Sequence, residues 1–153
     1  MGTVLALTTP PADGAELISQ DTVTLVAGAQ GGIEGDRHIG RRRAVTVVCT
    51  GELAAAAIEH GVDSLDAIAT RRNIVVDLDE LPRQHGTRFT IGGTELEVWR
   101  DCAPCNLMDG FFGDGAQHAL RNRCGISATV INGGVVNVGD PIHFINREND
   151  GKM

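Results

Sequence analysis

Short runs of β-branched and aliphatic residues recur along almost the whole chain, and they constrain its fold more than any other feature. Gly, Asn or Pro separates many of these runs, as is typical of strands joined by tight turns. Many short strands and few helices predict a mainly β fold, built as a closed or partly closed β-barrel. The predicted strands are 3–7, 22–26, 44–49, 73–77, 88–91, 94–100, 126–131, 135–138 and 142–145.

A few short helices are also predicted. They cover residues 51–60, 65–69 and 115–123, and their expected caps are Thr50, Ser64 and the pair Asp114 and Gln117. Gly61 is expected to end the first helix because glycine readily adopts a left-handed conformation. A chain of 153 residues is predicted to form one domain, over residues 1–146, with a frayed polar tail at 147–153.

The charge and hydropathy of the chain narrow the classes of partner. The net charge of -7 argues against a nucleic-acid partner. No apolar run approaches the length of a membrane span, and the first residues lack the features of a signal peptide. We therefore expect a cytoplasmic protein that acts on small molecules.

The near absence of lysine excludes reactions that need a lysine inside the protein. The single lysine is Lys152, close to the C-terminus, whereas the other basic residues are arginines. A Schiff base to pyridoxal phosphate therefore has no plausible donor, and that cofactor is not expected. Arginines suit the bidentate binding of phosphate or carboxylate.

Two cysteines stand three positions apart directly after the predicted strand 94–100, in the segment Asp101-Cys102-Ala103-Pro104-Cys105. A thiolate is a strong nucleophile and a strong ligand for soft metals. A thioredoxin-like redox pair would begin a long helix, but the residues that follow include two glycines and have no helical period. A structural zinc site needs four ligands, and Cys49 and Cys124 are isolated, although His38 or His118 could complete a set.

Three further motifs accompany the cysteine pair. They are Gly35-Asp36-Arg37-His38, Arg71-Arg72-Asn73-Ile74-Val75-Val76, and the closing run Gly133-Gly134-Val135-Val136-Asn137-Val138-Gly139-Asp140-Pro141. In this order, the four motifs resemble the MOSC family over residues 22–145. MOSC domains occur at the C-terminus of molybdenum cofactor sulfurases and as free-standing proteins. The resemblance implies a β-barrel similar to the small barrel of pyruvate kinase.

The resemblance also implies a role for the cysteine pair. In MOSC-containing amidoxime-reducing enzymes, the cysteine that corresponds to Cys105 ligates molybdenum. Cys105 is therefore the expected metal ligand and catalytic residue. Cys102 is a second candidate catalytic residue, which would tune Cys105, protect it through a reversible disulfide, or simply pack.

The resemblance implies a set of residues that contact a molybdenum–pterin cofactor: Arg37, His38, Thr50, Arg71, Asn73 and Arg123. Arg37 and His38 would bind its phosphate or a substrate anion. Arg71 and Asn73 match an Arg-x-Asn motif, with Arg72 in place of the proline of some relatives. Thr50 also suits a helix cap, and Arg123 is a candidate anion contact.

The function implied by the resemblance is an oxidoreductase that removes oxygen from an N-hydroxylated substrate, with electrons from a redox partner protein. The alternatives are a sulfur carrier with a persulfide on Cys105, a non-catalytic cofactor-binding or adaptor domain, and a zinc-stabilised domain. The related enzymes carry an additional N-terminal β domain, which the residues before Gly35 do not resemble. A homodimer partner is one means by which the cofactor would be held.

Overall fold

The computed structural model describes residues 2–10, 16, 18–28, 31–36, 40, 44–104 and 107–145. The predicted tail at 147–153 lies outside these residues. Eleven strands lie within the described ranges: β1 Gly2–Thr9, β2 Ile18–Gln20, β3 Thr22–Val26, β4 Gly32–Ile33, β5 Val45–Cys49, β6 Ile74–Val76, β7 Arg88–Ile91, β8 Thr94–Asp101, β9 Ile126–Asn132, β10 Gly134–Asn137 and β11 Pro141–Phe144. The α-helices described are α1 Thr50–His60, α2 Leu107–Phe112 and α3 Ala116–Ala119, and a 3-10 helix covers Ile68–Thr70.

Seven strands form a closed barrel. Their order is β1-β6-β5-β9-β8-β7-β11, and β11 pairs back onto β1 through Gly2 and Ile142. Strand β2 extends this sheet by pairing with Leu7, Thr8 and Thr9 of β1, and β10, β3 and β4 form a separate three-stranded sheet. The predicted mainly β fold with a closed barrel is therefore confirmed.

Helix α1 joins β5 to β6, which pair in parallel, as a crossover between parallel strands requires. The helix follows β5 without a linker, so Cys49 occupies the cap position and Thr50 is the first helical residue rather than the predicted cap. Gly61 ends α1 as predicted, with φ 80° and an N–H bonded to the carbonyl of Ala57.

The other helices depart from the sequence predictions because glycine and long-range contacts decide them. Helix α3 has four residues: Gly115, with φ 95°, directly precedes it, and Asn122, with φ 58°, lies beyond its end. The carboxylate that accepts the N–H of Gln117 is that of Asp109, at 2.8 Å, in place of the predicted Asp114. Helix α2, which contains Gly110, was not predicted, and the 3-10 helix replaces the predicted helix 65–69.

Buried apolar side chains form two clusters, one inside the barrel and one outside it. The barrel core comprises strand side chains such as Phe89, Ile91, Leu96 and Val98, all with 0% exposure. The helix-side cluster packs α1 and α3 against the outer face of β5 and β6, and it consists largely of small residues and Cys124. No helix in the described part of the chain is long and apolar enough to cross a membrane.

Candidate functional site

The cysteine loop, residues 102–105, begins where β8 ends at Asp101. Cys105 itself lies outside the described residues. A register shift between Val98 and Arg100 marks a β-bulge shortly before the loop, and bulges bend a strand and redirect the residues beyond it. The N–H of Cys102 donates to the carbonyl of Gly125 at 2.9 Å, so the start of the loop is still paired with the segment that leads into β9.

Gly125 permits this close pairing. Its φ of 93° is in the left-handed region, and a Cβ at this position would lie 2.3 Å from the carbonyl oxygen of Val47. Any side chain would push the Cys124–Gly125 segment away from β5. The backbone against which Cys102 pairs is therefore fixed by packing on the barrel.

Three polar side chains hold the residues on either side of Cys102. The Nε of Arg83 donates to Asp101 Oδ1 at 2.6 Å. The Nη2 of Arg72 donates to the carbonyl of Ala103 at 3.4 Å, and the Nε2 of Gln117 donates to the carbonyl of Pro104 at 3.2 Å. Together with the backbone bond of Cys102, these contacts tie every residue from 101 to 104 to a different part of the chain.

Arg72 contacts both the cysteine loop and the segment before β9. Its Nε donates to the carbonyl of Cys124 at 2.8 Å, and its Nη2 lies 3.3 Å from Cys124 Sγ as well as near Ala103. The carbonyl of Arg72 accepts the hydroxyl of Thr8 at 3.0 Å, which anchors its backbone to β1. One guanidinium thus joins the cysteine loop to the segment before β9.

Arg83 joins the loop to helix α1. Its Nη1 and Nη2 contact the two carboxylate oxygens of Glu52 at 2.5 and 2.8 Å, and its Nε contacts Asp101. The carboxylate of Glu52 also accepts the N–H of Leu81. Burial alone would lower the pKa of Arg83, but the bonds to Glu52 and Asp101 raise it. Arg83 therefore stays charged between two carboxylates.

Cys49, Cys102 and Cys124 carry thiols that form no disulfide. Burial raises the pKa of Cys102, against the opposing effect of the positive charge on Arg72. Burial also raises the pKa of Cys49 to about 12. Cys49 and Cys124 are fully buried. At neutral pH, Cys102 and Cys49 are accordingly protonated.

Asn73 lies in the interior, where its side-chain amide makes four hydrogen bonds. Its Oδ1 accepts the N–H and the hydroxyl of Thr46, both at 3.0 Å. Its Nδ2 donates to the carbonyl of Thr8 at 3.1 Å and to Asp36 Oδ1 at 2.9 Å. Asp36 is 4% exposed. Asn73 thus braces the residue that precedes Arg37 and His38, both of which lie outside the described residues.

The other predicted cofactor contacts do not all lie together. Arg71 and Asn73 precede β6, whereas Thr50 follows β5, and these two strands are parallel with Cys49 opposite Val76. Thr50 is therefore at the opposite end of this strand pair from Arg71 and Asn73. Arg71 adopts a left-handed conformation with φ 62°.

Arg123 lies on the helix side of the molecule. Its Nη1 pairs with Glu59 Oε1 of α1 at 3.1 Å and donates to the carbonyl of Ala119 at 3.2 Å. A concavity of about 310 Å³ borders this pair, and its lining includes His118 and Arg121. The predicted anion contact is thus partly engaged by a carboxylate.

A larger cleft of about 580 Å³ opens beside the cysteine loop. It has the loop on one wall and the α2–α3 region on the other, and it is lined by Asp101, Ala103, Pro104, Asp109, Gly115, Gln117, His118, Arg121 and Asn122. The lining offers cationic, anionic and amide groups. Such a mixed, concave surface suits a small polar molecule.

Sequence reasoning did not identify the side chains that hold the loop. Glu52, Arg83, Gln117 and Arg72 were not assigned to the site, and neither were the cleft residues His118 and Arg121. Their contacts join segments that are distant in sequence, such as Arg72 and Cys124, and no local motif marks them. Only the position of the cysteine pair after a strand pointed to this region.

A multi-ligand metal site is not seen in the described ranges. There, no three or more His, Cys, Asp or Glu side chains are grouped so that they could hold a metal ion. A metal held there through protein side chains would therefore depend on fewer than three ligands from the described residues or on ligands from the remaining residues.

Comparison with known proteins gives one family and several similar folds. The MOSC domain family matches residues 34–143. The YuaD protein from Bacillus subtilis has a similar structure, with a TM-score of 0.80 and 19% identity, over 94% of this chain and 96% of that chain. YiiM from Geobacillus stearothermophilus gives a TM-score of 0.69 and 18% identity, over 96% and 76% of the two chains.

YiiM from Escherichia coli gives a TM-score of 0.62 and 21% identity, over 95% of this chain and 70% of that chain. At these identities the likeness concerns the fold. No curated protein sequence matches the chain.

Proposed function

We propose that this chain, which belongs to the MOSC domain family, binds a molybdenum–pterin cofactor at the cysteine loop and reduces an N-hydroxylated small molecule. The observation that carries the proposal is the immobilised loop: each residue from 101 to 104 is held by a contact from elsewhere in the protein. A ligand on such a loop is preorganised for a metal. The adjoining cleft has room for a substrate.

The residues of the loop fit this cofactor in kind. A cysteine thiolate is a soft ligand, and a metal held by one protein thiolate and by the sulfurs of a pterin needs no cluster of protein ligands. In the proposal Cys105 is that ligand. When bound, the cofactor supplies the two-electron redox chemistry that removes the oxygen of the substrate.

Other residues of the chain orient the reactants. In the proposal Arg37 and His38 bind the phosphate of the cofactor, and Asn73 positions them through Asp36, because its own amide is fully engaged. Arg71 contacts the cofactor from the start of β6. Cys102, which burial keeps protonated, contributes a neutral thiol beside Cys105. A redox partner protein supplies the electrons.

Elemental analysis tests the proposal. The wild type, Cys105→Ala and Cys49→Ala are produced in cells that make the molybdenum cofactor, and the metal content per chain is measured by mass spectrometry. We expect molybdenum in the wild type, its loss in Cys105→Ala, and its retention in Cys49→Ala, which removes a buried thiol outside the loop. Reduction of an N-hydroxylated test substrate should follow the molybdenum content.

Other results would favour the remaining functions. Retention of all molybdenum and all activity by Cys105→Ala would contradict the proposal. Zinc at one ion per chain, with unfolding on chelation, would indicate a zinc-stabilised domain. An added sulfur atom on Cys105 in the intact-protein mass, without molybdenum, would indicate a sulfur carrier. The absence of both metals and of added sulfur would leave an adaptor domain.

A further inference from the structure

The side chain of Arg72 contacts both the cysteine loop and the segment before β9. Its Nε bonds to the carbonyl of Cys124 at 2.8 Å, and its Nη2 reaches the carbonyl of Ala103 at 3.4 Å. The same Nη2 is 3.3 Å from Cys124 Sγ. Cys124 has 0% exposure, so its polar atoms have little access to water.

We propose that Arg72 is the positioning residue of the cysteine loop, which it holds by tying Ala103 to the Cys124–Gly125 segment. The inference rests on the proposed function for the role of Cys105 as a metal ligand. The contacts of Arg72 themselves do not depend on the cofactor.

The geometry requires an arginine. A guanidinium is planar and presents Nε and Nη donors at fixed separation, so it bonds to two carbonyl groups at once. The ammonium of a lysine is a compact group on a flexible chain, so it cannot present two donors at this fixed separation.

Arg72 also acts where the loop has no regular backbone pairing. The backbone pairing of β8 continues as far as Cys102, whose N–H bonds to Gly125. Beyond it, Ala103 and Pro104 depend on the side chains of Arg72 and Gln117. Loss of the Arg72 bonds therefore removes one of two side-chain contacts that precede Cys105, and the carbonyl of Cys124 loses a donor.

Hydrogen exchange of the cofactor-free protein tests the inference. Arg72→Met, Arg72→Lys and the wild type are compared, with Arg88→Met as a matched control, because Arg88 also makes two side-chain contacts but on another part of the barrel. We expect exchange of the Cys102 amide to be about tenfold faster in Arg72→Met and nearly as fast in Arg72→Lys. Exchange in β5 and β9 should be unchanged, and Arg88→Met should match the wild type around the loop.

A kinetic readout separates positioning from general destabilisation. In the cofactor-loaded protein, Arg72→Lys should lower kcat about tenfold with little change in KM, because the misplaced loop affects the chemical step rather than the cleft. Exchange of the Cys102 amide at the wild-type rate in Arg72→Met would overturn the inference.

The remaining outcomes are also decisive. If Arg72→Met does not fold, Arg72→Gln takes its place, and failure of both to fold would overturn the inference in favour of a folding role. Failure of the wild type to bind molybdenum would contradict the proposed function, but the exchange experiment would still decide whether Arg72 holds the loop.

Discussion

The barrel core and the cysteine loop differ in what holds them in place. Inside the barrel, strands alternate buried and exposed side chains, and Leu96, Val98 and Phe89 fill the core without polar partners. Residues 102–104 of the cysteine loop belong to neither buried apolar cluster, and side chains of arginine and glutamine hold this part of the chain. The loop is thus ordered by a few directional bonds, each from a different segment.

This difference predicts different responses to substitution. The stability of the core depends on the volume and buried area of its side chains. Loss of a large side chain there should therefore lower the free energy of unfolding strongly but leave the site intact in the molecules that remain folded. The loop depends on single donors, so loss of one should cost less stability but should alter the site. The predictions below test this contrast, from the largest effect on stability to the smallest.

Phe89→Ala should lower the free energy of unfolding by about 3–5 kcal/mol. Phe89 is fully buried in the barrel and stacks on Phe144 with ring centroids 4.8 Å apart. Urea denaturation measures the loss. Ile58→Ala is the control, because Ile58 is 81% exposed and should change stability little. Similar losses of unfolding free energy in both variants would show that burial of Phe89 in the barrel does not stabilise the fold.

Cys49 should make the stability fall at alkaline pH. Its folded pKa is about 12, against an ordinary value of 9.0, so the stability it contributes is present below pH 9.0 and is lost as the pH rises toward 12. The full loss corresponds to about 4 kcal/mol. The chain has no tyrosine and only one lysine, so apart from the other cysteines few side chains titrate in this range. The stability of Cys49→Ala, measured by urea denaturation from pH 8 to 11, should decline less steeply, and parallel curves would refute the prediction.

Arg83→Met should cost about 2–3 kcal/mol, because it leaves the Glu52 carboxylate without its cation while the Glu52 side chain is 9% exposed. The double variant Glu52→Gln with Arg83→Met should recover part of the loss. Thermal and urea denaturation measure both. An increase in stability in Arg83→Met would mean that an apolar side chain stabilises the loop side better than the ion pair does. That result would contradict the difference between the two regions.

Arg88→Met should cost less than about 1 kcal/mol. Arg88 pairs with Glu95 and Glu97 across β7 and β8 at 2.6 and 2.7 Å, but its side chain is 26% exposed and the pairs face solvent. The small loss should shrink further in high salt, as a melting curve at two salt concentrations would show. A loss as large as that of Arg83→Met would show that the exposed ion pairs of Arg88 stabilise the fold as much as the more buried ion pair between Arg83 and Glu52.

The pattern of the sequence predicted the barrel well. The nine predicted strands all appear, with bounds within one or two residues, because period-two alternation is a local property that the pleat of a sheet imposes directly. Strands β2 and β4 were missed because two or three residues cannot show a period. Helix α2 was missed because Gly110 interrupts its pattern.

The candidate site was predictable only in part. The position of Cys102 at the end of a strand followed from the sequence, but its partners did not. The cofactor contact expected of Asn73 stays a prediction, and the bonds by which its amide braces Asp36 join residues far away in sequence. Contacts of this kind depend on how strands are ordered around the barrel, which no local pattern encodes. The roles of Arg37, His38 and Cys105 stay predictions.

The closure of the barrel has a consequence for the order of folding. Strand β1 pairs with β11 through Gly2 and Ile142, and it also pairs with β6, so β1 needs a strand that is synthesised much later. Contacts between such distant residues form slowly. During synthesis, the part of β1 at Gly2 and Thr3 must therefore wait for β11, whereas residues 7–9 can pair earlier with β2. For this interval the nascent chain offers a short free strand edge to chaperones or to other nascent chains.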